Sequence, residues 1–172
     1  LIKKAVEQFP DFCIGAGTVL SAEAAKRAVD AGAKFIVAPD LNDSVAEYCV
    51  KNNLAFFPGA LTPTESAKAW SSGATMVKVF PASQMGPSYF KVLKGPFEQI
   101  KLMAVGGVGP KNISEYFSAG ASAVALGGSI FSLSRMANRE YNAMQKDIEE
   151  FMFAVNKNYS NIDNIDLANH SN

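Results

Sequence analysis

Lys78 stands in the middle of Met76-Val77-Lys78-Val79-Phe80, where every neighbour is apolar. In a parallel sheet such a strand is covered on both faces, and an ammonium there loses hydration. It must find a carboxylate, snorkel to solvent, or give up its proton, and the last makes a nucleophilic amine able to attack a carbonyl. By position alone, a Schiff-base lysine and a structurally paired or snorkelling lysine both stay open. Thr18, after Gly15-Ala16-Gly17, offers a hydroxyl and exposed N–H groups that suit a carboxylate, or else an ST-turn or helix cap. Asp40 and Glu65 follow strand ends and read as caps or first-turn residues sooner than as general bases. Pro58-Gly59 and Pro81 read as strand terminators, Phe80 as core and Trp70 as outer helix packing.

Other chemistry is excluded by what the chain lacks. The single histidine, His170, lies two residues from the C-terminus, so a Ser-His-Asp or Cys-His system and a histidine-ligated metal have no imidazole in the core. Cys13 and Cys49 form no metal or redox spacing and read as reduced thiols of a cytoplasmic protein. Lys+Arg and Asp+Glu both count 16, a formal net charge of zero, which leaves no electrostatic footprint for nucleic acid or an anionic membrane. No apolar run approaches the roughly 18 residues of a membrane span. No metal and no cofactor are expected.

The elements that must hold these residues repeat. Short apolar runs ending in Gly or Pro recur at 12–15, 35–39, 55–59, 76–81, 102–107 and 123–128, and read as buried strands. Between them lie helical segments, one opened by Ser21 as N-cap, and Gly32, Gly73 and Gly120 sit where a helix exit needs a left-handed residue. Strand alternating with helix predicts an α/β fold with a parallel sheet. Gly15-Ala-Gly17-Thr-Val-Leu20 has Leu where a dinucleotide fingerprint needs its third Gly, and Gly106-Gly-Val-Gly-Pro-Lys111 has the wrong spacing for a P-loop. Glycine doublets end the last two strands, Gly106-Gly107 and Gly127-Gly128, where a (β/α)8 TIM barrel often binds phosphate beside a short extra helix, here expected over 129–135. A long amphipathic helix is expected from about Asn138 to Val155. Six βα units are visible where a barrel has eight, so the chain reads as a barrel over 1–155 lacking its first two strands, followed by a polar, disordered tail over 156–172.

The segments 15–20 (GAGTVL), 57–65 (FPGALTPTE), 77–82 (VKVFPA), 86–97 (GPSYFKVLKGPF) and 127–129 (GGS) closely resemble the 2-keto-3-deoxy-6-phosphogluconate (KDPG) and 4-hydroxy-2-oxoglutarate (KHG) aldolase family, in register from Leu1 to about Val155. The resemblance implies a class I, metal-free aldolase on a (β/α)8 barrel, usually a homotrimer, with pyruvate and a phosphorylated keto acid as small-molecule partners. It places the imine-forming lysine on Lys78, and substrate binding on Thr18, Pro58, Phe80, Val105, Gly106, Gly107, Gly128 and Ser129. The activity implied is cleavage of KDPG to pyruvate and glyceraldehyde 3-phosphate, with 4-hydroxy-2-oxoglutarate as a further substrate.

Two departures qualify that reading. Ala104-Val105-Gly106-Gly107 stands where the phosphogluconate branch usually has Pro-Thr-Gly-Gly, and the Val-Gly-Gly form is closer to the 6-phosphogalactonate branch. The family's general acid–base glutamate and a phosphate-binding arginine would fall upstream of Leu1, so the chain reads as an N-terminally truncated form, inactive alone. On that reading two sheet edges, at 12–20 and 123–126, should favour aggregation. Two alternatives remain: another phosphate-binding barrel, such as an epimerase or a thiamine-phosphate synthase-like enzyme, and a non-catalytic barrel that kept its phosphate loops.

Overall fold

The computed structural model describes residues 1–169, with side chains described to Asn158. In chain order the elements are α1 (Ile2–Gln8), α2 (Ala22–Asp30), β1 (Phe35–Val37), α3 (Asp43–Lys51), β2 (Ala55–Phe57), β3 (Gly59–Ala60), α4 (Pro63–Ser71) and β4 (Val77–Val79). They continue with α5 (Ala82–Met85), α6 (Pro87–Lys94), β5 (Leu102–Val105), α7 (Ile113–Ser118), β6 (Ala123–Ala125), α8 (Leu133–Ala137) and α9 (Tyr141–Asn169). The chain divides into two compact units, residues 1–80 with 92–103, and residues 81–91 with 104–169.

In the first unit the strands are parallel and follow sequence order. Ala16 bridges to Ile36, β1 pairs with β2 from Phe35↔Ala55 to Val37↔Phe57, and β3 pairs with β4 at Gly59↔Lys78 and Ala60↔Val79. The strand expected over 12–15 is reduced to that bridge plus the bond from Lys34 N–H to the Ile14 carbonyl, because the chain turns away at Gly17 and Thr18. The single strand expected over 55–59 is two, since Pro58 has no N–H to continue the ladder. Gly59 must be glycine: a Cβ there would sit 1.9 Å from the Pro39 carbonyl oxygen. Ile36, Val45, Cys49 and Phe56 are wholly buried and form the unit's core with Ala25 and Ala38.

The helices are set by their ends. Ser21 accepts from Ala24 N–H to cap α2, Asn42 accepts from Ser44 and Val45 to cap α3, and Thr62 with Glu65 forms a reciprocal box on α4 behind Pro63. The cap of α3 is therefore Asn42 and not Asp40, which lies two residues too early to reach the first-turn N–H groups. Five helices end alike. The left-handed residue is Gly32, Asn53, Gly73, Gly120 or Arg139, and the next residue's N–H returns to the carbonyl five positions earlier.

In the second unit α7 packs on α9, and the Phe90 and Tyr116 rings meet edge to face at 5.3 Å. Ile113, Tyr116, Phe117, Met144 and Phe151 are buried there. The short helix after β6 spans Leu133–Ala137 rather than 129–135, because Ser132 supplies its cap; residues 128–130 form a turn. The long helix begins at Tyr141 and its backbone runs to Asn169, past the expected end at Val155 and into the tail expected over 156–172; no Gly or Pro interrupts the stretch. The last three residues of that tail, 170–172, lie outside the described residues.

Candidate active site

In the first unit Lys78 occupies the centre of β4, opposite Gly59, with its N–H donated to the Pro58 carbonyl at 2.8 Å. Its side chain is half-buried, and Nζ lies 3.5 Å from the Ala38 carbonyl oxygen and 4.8 Å from the centroid of the Phe80 ring. Among the described residues no carboxylate forms an ion pair with it. Burial therefore prevails over the carbonyl and the ring face, both of which favour the ammonium, and holds the amine below the usual lysine pKa. A lysine so placed has more of the neutral, nucleophilic form than a surface lysine at the same pH.

The sequence-predicted residues of this unit divide by role. Phe80 is 44% exposed, so it is not the core residue its composition suggested; its ring is presented at the end of β4, against the amine. Pro58 is placed differently from the rest: its ring is fully buried, and its contribution is the carbonyl that fixes the Lys78 backbone. Thr18 is exposed, caps no helix, and holds φ 58°, a left-handed conformation that β-branched residues rarely adopt. The next residue anchors this bend, Val19 N–H donating to Val37 O at 3.2 Å.

Glu65 is committed to α4, accepting from the Leu61 and Thr62 N–H groups at 2.8 Å each, which keeps its carboxyl below the ordinary range. Asp40 makes no hydrogen bond among the described residues. It lines, with Pro39, Gly59, Glu65, Lys68 and Phe80, a cavity of about 320 Å³. Ala38 and Pro39 had no polar signal in the sequence; only the fold shows that the end of β1 meets the lysine.

In the second unit Val105 and Gly106 are half-buried while Gly107, Gly128 and Ser129 are exposed. Gly106 and Gly107 have φ of 93° and 75°, and a Cβ on Gly107 would sit 2.4 Å from that of Ser83. Asn112 clips this turn, donating to Gly107 O at 3.0 Å and accepting from Gly109 N–H at 2.9 Å. After β6, the Gly127 carbonyl accepts from both Ile130 and Phe131 N–H, leaving the Gly128 and Ser129 N–H groups without an acceptor among the described residues. Unclaimed N–H groups at a glycine turn are what an anion binds. No group of His, Cys, Asp and Glu able to hold a metal occurs among the described residues.

Parallel strands alternating with helices define an α/β barrel-type chain, with a lysine at the centre of β4 in the first unit and glycine turns after β5 and β6 in the second. The family model described as KDPG and KHG aldolase matches residues 1–147. The 2-dehydro-3-deoxy-6-phosphogalactonate aldolase of Escherichia coli (strain K12) is 35% identical over 143 residues, 83% of this chain and 70% of that protein. The solved structure described as "Native KDPGal structure" superposes with a TM-score of 0.84 at 31% identity, over 92% of this chain and 76% of the other. The Legionella pneumophila KDPG aldolase, with pyruvate captured as a covalent carbinolamine, gives 0.77 at 27% identity, over 84% of this chain and 71% of the other. The chain belongs to the KDPG and KHG aldolase family of carbon–carbon lyases, and its fold class is the α/β TIM barrel. It spans 70, 58 and 62% of the first three curated relatives it matches.

Proposed function

We propose that this chain carries the pyruvate-binding chemistry of a class I aldolase acting on a 6-phosphorylated 2-keto-3-deoxy sugar acid. The observation that carries the reading is Lys78: an amine at the centre of an apolar strand, without an ion-pair partner among the described residues and lowered in pKa by burial. The neutral Nζ adds to the C2 ketone to give a carbinolamine, and loss of water gives an iminium. A base removes the proton of the C4 hydroxyl, and the C3–C4 electrons pass to the iminium as the aldehyde leaves. The resulting enamine takes a proton at C3, and water releases pyruvate and restores the amine.

In this reading Thr18 receives the substrate carboxylate, Phe80 walls the imine, and the Gly107 and Gly128–Ser129 turns receive phosphate. Glu65, held as a helix cap, is unsuited to be the base. KDPG is the first substrate to test. Val105 favours its galactonate epimer as a second, since valine gives up the hydroxyl that the gluconate branch usually places there. Comparison of kcat/KM for the two epimers decides between them.

The direct test is borohydride reduction in the presence of pyruvate, followed by peptide mapping. We expect one adduct, on Lys78, absent from Lys78→Met. A folded chain with no adduct would remove the lyase reading and leave a phosphate-binding barrel of another activity.

A further inference from the structure

Ile130 follows the Gly128–Ser129 turn directly, and its carbonyl accepts from Arg135 Nη1 at 3.4 Å. The same nitrogen donates to Asp147 Oδ2 at 2.7 Å, and Nε lies 3.4 Å from Glu140 Oε2. Asp147 belongs to α9 and Glu140 immediately precedes it, so one guanidinium ties the glycine turn to the start of the long helix. The Arg135 side chain is only 20% exposed, against 42% for each carboxylate, so this is a fork held in place rather than a solvated surface pair. Its charge is already met by two carboxylates, which leaves it no attraction for an anion of its own. A planar group with several fixed donors can hold a carbonyl and two carboxylates together; an ammonium cannot do so with the same geometry.

We propose that Arg135 is a positioning residue: it latches the 127–131 turn so that the Gly128 and Ser129 N–H groups stay aimed at the substrate's phosphate. The inference rests on the reading of that turn as the phosphate-binding loop. The latch acts through the carbonyl of Ile130, whose own N–H is bonded to Gly127 O at 3.1 Å. Freed from Arg135, the turn keeps that bond but gains freedom to rotate the two unclaimed N–H groups away.

The test needs no turnover. Inorganic phosphate is titrated into the whole chain while the backbone amide signals of Gly128 and Ser129 are followed by NMR. In the wild type both signals shift with saturable binding. Arg135→Gln and Asp147→Asn weaken the phosphate affinity roughly tenfold, the effect expected when a charge-assisted contact is lost. Arg135→Lys recovers part of it. Dispersed amide signals across 104–158 in all three variants show that the unit holding the turn is folded; should Arg135→Gln lose that dispersion, the milder Asp147→Asn decides. Wild-type phosphate affinity in the folded variants overturns the latch and leaves the phosphate loop standing. No shift at Gly128 or Ser129 in the wild type overturns the loop reading, and the latch falls with it.

Discussion

At the scale of single residues, Lys78 carries opposed demands. Burial disfavours its charged form, and that same lowering makes the amine reactive. Below its lowered pKa the folded chain keeps a charge in an apolar strand that the unfolded chain leaves in water, so the cost to stability is full there. As pH rises through the lowered pKa toward the ordinary value of 10.5, the folded chain has released a proton that the unfolded chain still holds, and stability recovers. Lys78→Met keeps the length and removes the charge. We expect it to be more stable at pH 7 by up to about 1 kcal/mol. Its advantage should shrink as pH rises toward 10.5, in urea unfolding of the two proteins side by side. An advantage that stayed constant with pH would mean that Lys78 is not desolvated. Cys49 shows the same burial without function: its thiol is pushed up to about 11, whereas Cys13 is exposed.

At the scale of elements, the repeated helix exit is the device that makes each βα unit. Three of the five exits were legible in the sequence because they use Gly32, Gly73 and Gly120; the other two use Asn53 and Arg139, at φ of 52° and 55°. Asparagine tolerates that conformation through its short polar side chain, but arginine gains nothing from it, and the strain is about 1–2 kcal/mol for an ordinary L-residue. Glycine relieves the strain and gives back about 0.4–1 kcal/mol through greater freedom of the unfolded chain. Arg139→Gly should therefore stabilise by roughly 0.5–1 kcal/mol and Asn53→Gly by less. The measurement is the urea midpoint at unchanged slope, and equal or reversed gains would contradict the argument. Strand existence was legible for the same reason as the glycine exits, since apolar runs and turn residues are local signals. The Asn42 cap, the break at Pro58 and the Arg135 fork were not. Choosing Asn42 over Asp40 takes the helix start to within one residue, and Arg135 meets Asp147 twelve positions away, which no periodicity announces.

At the scale of the whole chain, charge and apolar surface act together. The formal net charge is zero at pH 7, so little long-range repulsion keeps copies apart. Among the described residues Leu133, Phe153, Phe12 and Val92 are each at least 71% exposed, which supplies contacts for copies that do meet. The zero is also broad. It is the balance of 16 basic against 16 acidic side chains, two classes that as a rule hold their charges across neutral pH. Self-association measured by light scattering should therefore stay nearly level from about pH 6.5 to 9 and fall once the carboxylates protonate and net positive charge builds, provided the fold survives. Leu133→Glu together with Phe153→Glu adds two negative charges and removes two of the exposed apolar groups, so it should lower scattering across the whole level range. A sharp maximum near one pH, unaffected by that double change, would mean that a specific interface rather than missing repulsion holds the copies together.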